Sequence, residues 1–90
     1  MRKIEETSQF KKDLKKLANS GKYNPDELLV VIGMLAKDIL LPKKYHDHSL
    51  AGSWKDHRDC HIRPDWILIY KLELEKLILI RTGSHSTLFG

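Results

Sequence analysis

All five histidines of the chain lie in its second half, at positions 46, 48, 57, 61 and 85. An imidazole titrates near neutral pH and can both accept and donate a proton, so paired histidines suit general acid–base catalysis. Asp65 could assist such a base, and Arg81 could stabilise the negative charge of a phosphorane-like transition state. One interpretation of these residues is therefore acid–base chemistry at a phosphate.

Metal binding is a less favoured interpretation of the same region. The potential ligands are His46, His48, His57, Cys60, His61 and Asp65. No Cys-x-x-Cys pair is present, although a small structural zinc site normally has ligands paired that closely. We therefore expect no metal and no other cofactor.

A purely structural interpretation is also open. In that case the histidines lie on the surface and the two tryptophans, Trp54 and Trp66, belong to the core. For His46 and His57 this is the favoured interpretation.

The first elements that could position these residues are a strand and a helix. Residues 2–7 predict a short edge strand, and Ser8 is a suitable N-cap for a helix that ends at Asn19-Ser20-Gly21. Apolar side chains recur along this helix at Phe10, Leu14 and Leu17. Its other side carries Lys11, Lys12, Lys15 and Lys16. These lysines form either an ordinary solvated face or a surface that contacts phosphates.

A second helix is marked more clearly. Asn24 is a good N-cap, Pro25 suits the first helical position, and Asp26 and Glu27 suit the positive end of the helix dipole. The apolar side chains that follow are Leu28, Leu29, Val30, Val31, Ile32, Met34, Leu35 and Ile39. We expect this helix to be buried on more than one side and to end soon after Leu40, ahead of Pro42.

The rest of the chain predicts a three-stranded antiparallel meander. Its strands are residues 56–63, 66–72 and 76–82, with reversals at Pro64-Asp65 and at residues 73–75, and residues 85–90 form a short tail. The predicted fold class is therefore α+β: one domain over residues 1–90, with an N-terminal strand and two antiparallel helices packed on a mainly antiparallel sheet.

This arrangement brings candidate site residues together. Side chains an even number of residues apart share a face of a strand, so His57, Asp59 and His61 would point one way and Cys60 the other. The second strand of the meander begins at the sheet edge where the third ends. We therefore expect four residues to converge there: His61, Asp65, Arg81 and His85.

Composition limits the setting in which this site works. A lone cysteine cannot form an internal disulfide, nothing resembling a signal peptide precedes the charged start, and the longest apolar run is far shorter than the ~20 residues of a membrane helix. These features indicate the cytoplasm. The net charge of +4 indicates an anionic partner, with nucleic acid the leading candidate and an acidic protein segment the next.

Four segments together resemble a known protein family. They are His48–Trp54, Arg58–His61, Pro64–Lys71 and Arg81–Gly90, and in this order they are similar to the YafQ-type toxins of the RelE superfamily, from bacterial type II toxin–antitoxin systems. The likeness is close from Asp47 onward and only one of pattern before it. It implies a compact RelE-like fold and a ribosome-dependent endoribonuclease that cuts translated mRNA.

The resemblance also implies roles for individual residues. His48, His61, Asp65 and His85 match the acid–base residues, and Arg81 matches the arginine at the scissile phosphate. We expect His85 to be the general acid, His48 and Asp65 to serve or assist the base, and His61 to orient or stabilise. Trp66 and Phe89 match the aromatic residues that shape the site and position substrate, and apart from the resemblance we expect Lys55 and Arg58 to bind substrate as well. His46, His57 and Cys60 depart from the family pattern and receive no role.

The implied mechanism needs no metal and passes through a 2′,3′-cyclic phosphate. The implied partners are a cognate antitoxin, the decoding site of the ribosome with its mRNA, and operator DNA only through the antitoxin complex, with no membrane. A non-catalytic module of the same fold that binds RNA, the ribosome or a protein is the alternative.

Overall fold

The computed structural model describes residues 1–21 and 23–90. Its strands are β1 (Lys3–Glu6), β2 (His48–Ser49), β3 (Arg58–Arg63), β4 (Trp66–Leu72) and β5 (Lys76–Gly83). Its α-helices are α1 (Ser8–Asn19), α2 (Pro25–Ala36) and α3 (His85–Phe89), and short 3-10 turns cover Lys43–Tyr45 and Gly52–Trp54. Within the described ranges, no helix is long and apolar enough to cross a membrane.

The strands form one mixed sheet in the order β1-β5-β4-β3-β2. The predicted meander β3-β4-β5 is antiparallel, and β1 pairs with β5 in parallel, which confirms the α+β prediction. Strand β2 was not predicted, because its two polar residues, paired with Asp59 and Arg58, are too few to display an alternating pattern. Strand β3 begins at Arg58 and not at Asp56, whose φ of 70° lies outside the extended region.

Helix α1 begins one residue earlier than predicted, because the N-cap is Thr7 and not Ser8. Thr7 is the N-cap: its Oγ1 accepts the amide of Phe10 at 3.0 Å. The same hydroxyl donates to the carbonyl of Ile80 on β5 at 2.8 Å. One threonine side chain therefore both starts the helix and fixes it to the sheet.

Helix α2 has the predicted Asn24 cap and Pro25 start, but it ends four residues earlier than expected. Its last residue is Ala36, and Asp38 adopts the left-handed conformation with a φ of 60°. The amide of Ile39 then donates to the carbonyl of Met34 at 2.9 Å, closing the helix end. Leu40 lies beyond the helix and is 92% exposed.

The sheet is covered on both faces, which explains why β4 is apolar without alternation. One face packs against α1 and α2 through Phe10, Val31, Leu35, Cys60, Leu68, Tyr70 and Leu79. The other face is covered by a smaller cluster, Ile67, Ile69 and Leu88, with Trp54 and Phe89 packed around it. The predicted short tail forms a helix: residues 85–89 are α3, which Ser84 caps and which buries Leu88.

Candidate active site

A buried carboxylate lies beside His48. Asp59 on β3 is 3% exposed and pairs in register with His48 of β2. Burial raises the pKa of the Asp59 carboxyl, and the nearby imidazoles of His48, His61 and His85 oppose that rise. Imidazoles from β2, β3 and α3 therefore all act electrostatically on one carboxylate.

The ring of His48 is fixed by its backbone surroundings. Its Nδ1 lies 2.7 Å from the carbonyl oxygen of His46 and 3.1 Å from Oδ1 of Asp59. A carbonyl only accepts, so Nδ1 carries the hydrogen and donates it to His46. In the neutral imidazole, Nε2 then keeps its lone pair and can accept a proton. The side chain is 54% exposed, so a substrate can reach it.

His61 is arranged in the same way at the edge of a cleft. Its Nδ1 donates to the carbonyl of Pro64 at 3.2 Å, and its ring meets that of His46 edge to face with centroids 5.7 Å apart. The cleft has a volume of about 870 Å³. Its lining residues are Glu27, Val30, Lys44, Tyr45, His46, His48, His61, Ile62, Arg63 and Pro64. Two histidines with available Nε2 atoms therefore face one open cleft.

Asp65 and His85 meet as the meander topology predicted. Oδ1 of Asp65 accepts the backbone amide of His85 at 3.1 Å, so the turn between β3 and β4 holds the start of α3. The ring of His85 packs on Phe89 with centroids 5.1 Å apart, and Phe89 meets Trp54 at 6.3 Å. These contacts place the Asp65 carboxylate at the start of α3 and leave the His85 imidazole at the surface.

Arg81 is held by a residue that the sequence analysis did not consider. Nε and Nη2 of Arg81 donate to the two carboxylate oxygens of Asp13 on α1, at 3.1 and 3.0 Å. Burial alone would raise the pKa of Asp13, but hydrogen bonds from Arg81, Gln9 and the Thr82 amide lower it below its ordinary value. Asp13 lies on the same helical stripe as Phe10, and a carboxylate on an apolar face was the available signal of a buried partner.

A second network fixes the segment that carries His48. The hydroxyl of Tyr70 and Nη2 of Arg58 both donate to the carboxylate of Asp47, the residue before His48. Burial raises the pKa of Tyr70, so the phenol keeps its proton. Arg58, a predicted substrate-binding residue, therefore has a partner within the chain, and nothing in the sequence pattern indicated this Asp47–Tyr70–Arg58 clamp.

The remaining predicted substrate-binding residues differ in exposure. Trp66 is buried in the core, where its Nε1 donates to Oγ1 of Thr82 at 2.9 Å, so it supports the site from beneath. Phe89 is half-buried and Lys55 is exposed. The carbonyl of Lys55 accepts Nδ1 of His57 at 3.0 Å.

The potential metal ligands do not form a site. In residues 1–21 and 23–90, no three His, Cys, Asp or Glu side chains are grouped so that they could hold a metal ion. Cys60 is fully buried on the helix side of the sheet, opposite Asp59 as the strand pattern predicted.

Comparison with known proteins gives consistent matches. The model of a family described as the bacterial toxin of type II toxin–antitoxin systems, YafQ, matches residues 2–90. The mRNA interferase toxin YafQ of Escherichia coli K12 is 47% identical over 90 residues, which cover 99% of this chain and 97% of that protein.

Solved structures agree with the sequence matches. A copper-bound mutant toxin from Helicobacter pylori is 42% identical with a TM-score of 0.93, covering 99% of this chain and 100% of that one. The toxin in the E. coli DinJ-YafQ complex is 45% identical with a TM-score of 0.88, and each chain is fully covered. The chain therefore belongs to the YafQ family of bacterial toxins from type II toxin–antitoxin systems.

Proposed function

We propose that this toxin is a ribosome-dependent endoribonuclease that cleaves translated mRNA by metal-independent acid–base catalysis. The observation that carries the proposal is that His48 and His61 line one cleft with their Nδ1 atoms held by backbone carbonyls, while the His85 imidazole is exposed at the start of α3. The mRNA interferase of E. coli, 47% identical over nearly the whole chain, supports RNA as the substrate.

The proposed reaction is a transphosphorylation. Nε2 of His48 or of His61 removes the proton of a ribose 2′-hydroxyl, and the resulting oxygen attacks the adjacent phosphorus. The bond from phosphorus to the 5′-oxygen breaks, His85 donates a proton to that oxygen, and a 2′,3′-cyclic phosphate remains on the upstream fragment. DNA lacks the attacking hydroxyl, so the mechanism selects RNA.

In this reaction Arg81 would bind the phosphate. Asp13 engages its Nε and Nη2, and within the described part of the chain Nη1 remains for a phosphate oxygen. A guanidinium that is already oriented loses little freedom when the transition state forms, which favours catalysis by preorganised charge. Asp65 also holds the start of α3 through its Oδ1, so it would orient His85 in addition to serving or assisting the base.

The partners follow from charge and from the relatives. Exposed lysines of α1, together with Lys43, Lys44 and Lys55, would supply a salt-dependent attraction to ribosomal RNA. The DinJ-YafQ complexes of E. coli support a cognate antitoxin, and operator DNA would be reached only through that complex. An enzyme that works on translating ribosomes acts in the cytoplasm.

The test compares the wild type, His85→Ala and the matched control His57→Ala on ribosomes programmed with a defined mRNA. We expect the wild type and His57→Ala to cleave and to leave a cyclic phosphate, while His85→Ala is at least a hundredfold slower, because an absent general acid typically costs about 10²–10⁴-fold. Circular dichroism and antitoxin binding check that the variants are folded. Cleavage by His85→Ala at the wild-type rate would refute the assignment.

Two further measurements separate this function from its alternatives. Cleavage in excess chelator should be undiminished, and a loss of activity would indicate metal-dependent chemistry. The rate should depend on pH with a bell shape, since one imidazole must be neutral and another protonated. If the pure wild type leaves ribosome-bound mRNA intact, the chain is a non-catalytic module of the same fold.

A further inference from the structure

Asp59 has no assigned part in the reaction, yet its environment is unusual for a carboxylate. Its Oδ1 is fully buried and accepts no hydrogen bond from the residues that the structure describes. The nearest cation-forming atom is Nδ1 of His48 at 3.1 Å, but the hydrogen on Nδ1 is directed to the carbonyl of His46 at 2.7 Å. The carboxylate therefore lies against the imidazole without being bonded to it.

A buried carboxylate oxygen that accepts no hydrogen bond lowers the stability of the fold. Burying a carboxylate away from water without hydrogen bonds is unfavourable, and a buried carboxylate normally has compensating donors. Asp13 illustrates the contrast, since it is also buried but receives hydrogen bonds from Arg81, Gln9 and Thr82. Groups that cost stability in this way are expected at functional sites.

We propose that Asp59 is a positioning residue that stabilises the imidazolium of His48 as this ring takes the 2′-hydroxyl proton. The inference deepens the proposed function and rests on it. The charged groups that act on the carboxylate are His48, His61 and His85, from three elements, and the acidic Asp47. His48 is its direct neighbour and its register partner across β2 and β3.

The contribution of Asp59 arises only when the proton moves. A neutral imidazole gains little from a carboxylate at 3.1 Å, whereas the cation formed by proton transfer is attracted to it. An interaction that is stronger in the transition state than in the ground state raises the rate of the chemical step and not substrate affinity. The exposure of His48 weakens the attraction, so we expect a loss of about 10- to 100-fold, at the lower end of the effect of one preorganised electrostatic group.

The experiment uses Asp59→Asn, which keeps shape and removes charge. Asp56→Asn is the matched control, because Asp56 is an exposed aspartate three residues away in a left-handed conformation that Asn tolerates. Single-turnover cleavage is measured against ribosome concentration. We expect Asp59→Asn to lower the maximal rate about 10- to 100-fold, to leave the half-saturating ribosome concentration within twofold, and to raise or keep the urea midpoint.

Coupling to His48 separates positioning from a general structural role. In a His48→Ala background, Asp59→Asn should change the residual cleavage rate less than threefold. If His48→Ala has no measurable rate, the test is the effect of Asp59→Asn alone: a lower maximal rate with an unchanged half-saturating ribosome concentration supports positioning. A lower urea midpoint with equal rate losses in both backgrounds would overturn the inference, as would an unchanged rate. If the wild type cleaves nothing, the proposed function fails; if wild type and Asp59→Asn cleave equally, only this inference fails.

Discussion

Replacing Asp13 tests whether one carboxylate joins α1 to the sheet and orients Arg81. The substitution Asp13→Asn keeps the shape of the side chain, removes its charge and turns an amide group toward the guanidinium of Arg81. Two hydrogen bonds from Arg81 and one from the Thr82 amide are lost or weakened. We expect a large loss of stability, because Arg81 is left without a counter-charge.

The magnitude follows from burial. Removing one partner of a buried ion pair costs about 3–5 kcal/mol. Asp13 is 6% exposed, but the side chain of Arg81 is 24% exposed and water recovers part of the loss. We therefore expect the free energy of unfolding to fall by about 2–3 kcal/mol, which lowers the urea midpoint by about 1–2 M.

The assay is urea unfolding of the purified toxin, followed by tryptophan fluorescence and circular dichroism. The chain offers a matched control in Glu27→Gln, since Glu27 also lies on a helix and receives a bidentate arginine, Arg63, from the sheet. That pair is on the surface, with Arg63 60% exposed, so the control should change the midpoint much less. Equal midpoint shifts in the two variants would refute the argument from burial.

Lowering the pH is a second test of the contribution of Asp13 to stability, and the pKa of Asp13 fixes the direction of the expected change. The pKa of Asp13 is lower in the folded protein than its ordinary value of 3.8, so its stabilisation is complete above that value and is lost as the pH falls through the lower folded pKa. The stability difference between the wild type and Asp13→Asn should therefore shrink below about pH 4. A difference that grows on acidification would contradict the assigned direction.

Two further predictions concern buried groups. Tyr70→Phe removes the hydroxyl that donates to Asp47, and we expect unfolding to become about 1–2 kcal/mol easier and cleavage slower, because the clamp next to His48 is weakened; an unchanged urea midpoint would contradict this. Burial raises the pKa of the Cys60 thiol, so iodoacetamide should leave the folded toxin unlabelled and label it fully in urea, as followed by mass spectrometry. Equal labelling rates in the two states would show that Cys60 is accessible.

Local signals in the sequence were sufficient for most of the fold. The Asn24-Pro25 helix start and the apolar strands β4 and β5 depend on neighbouring residues, and the structure has them where they were predicted. The end of α2 was misjudged because Pro42 was taken as the stop signal, whereas the left-handed backbone at Asp38 ends the helix first. Aspartate adopts that conformation more readily than most residues, but its residue type alone does not require it.

The candidate site was predictable only where strand order alone brings residues together. The meeting of Asp65 with the start of α3 follows from strand order, which the meander pattern supplied. The bond between Asp13 and Arg81 joins residues 68 positions apart, and the bond between Tyr70 and Asp47 spans 23. Such pairings depend on how helices and loops pack over the sheet, which periodicity does not report.

The backbone carbonyls that accept hydrogen bonds from the imidazoles affect which substitutions the sequences of this family can tolerate. His48, His57 and His61 each donate through Nδ1 to the main chain of a residue two or three positions away, His46, Lys55 or Pro64. A substitution at an acceptor position that keeps the local backbone conformation replaces the side chain but leaves the carbonyl oxygen in place. The orientation of each ring therefore does not depend on the side chain of its acceptor residue. Natural variants can change the surface around the cleft without first losing the alignment of their histidines.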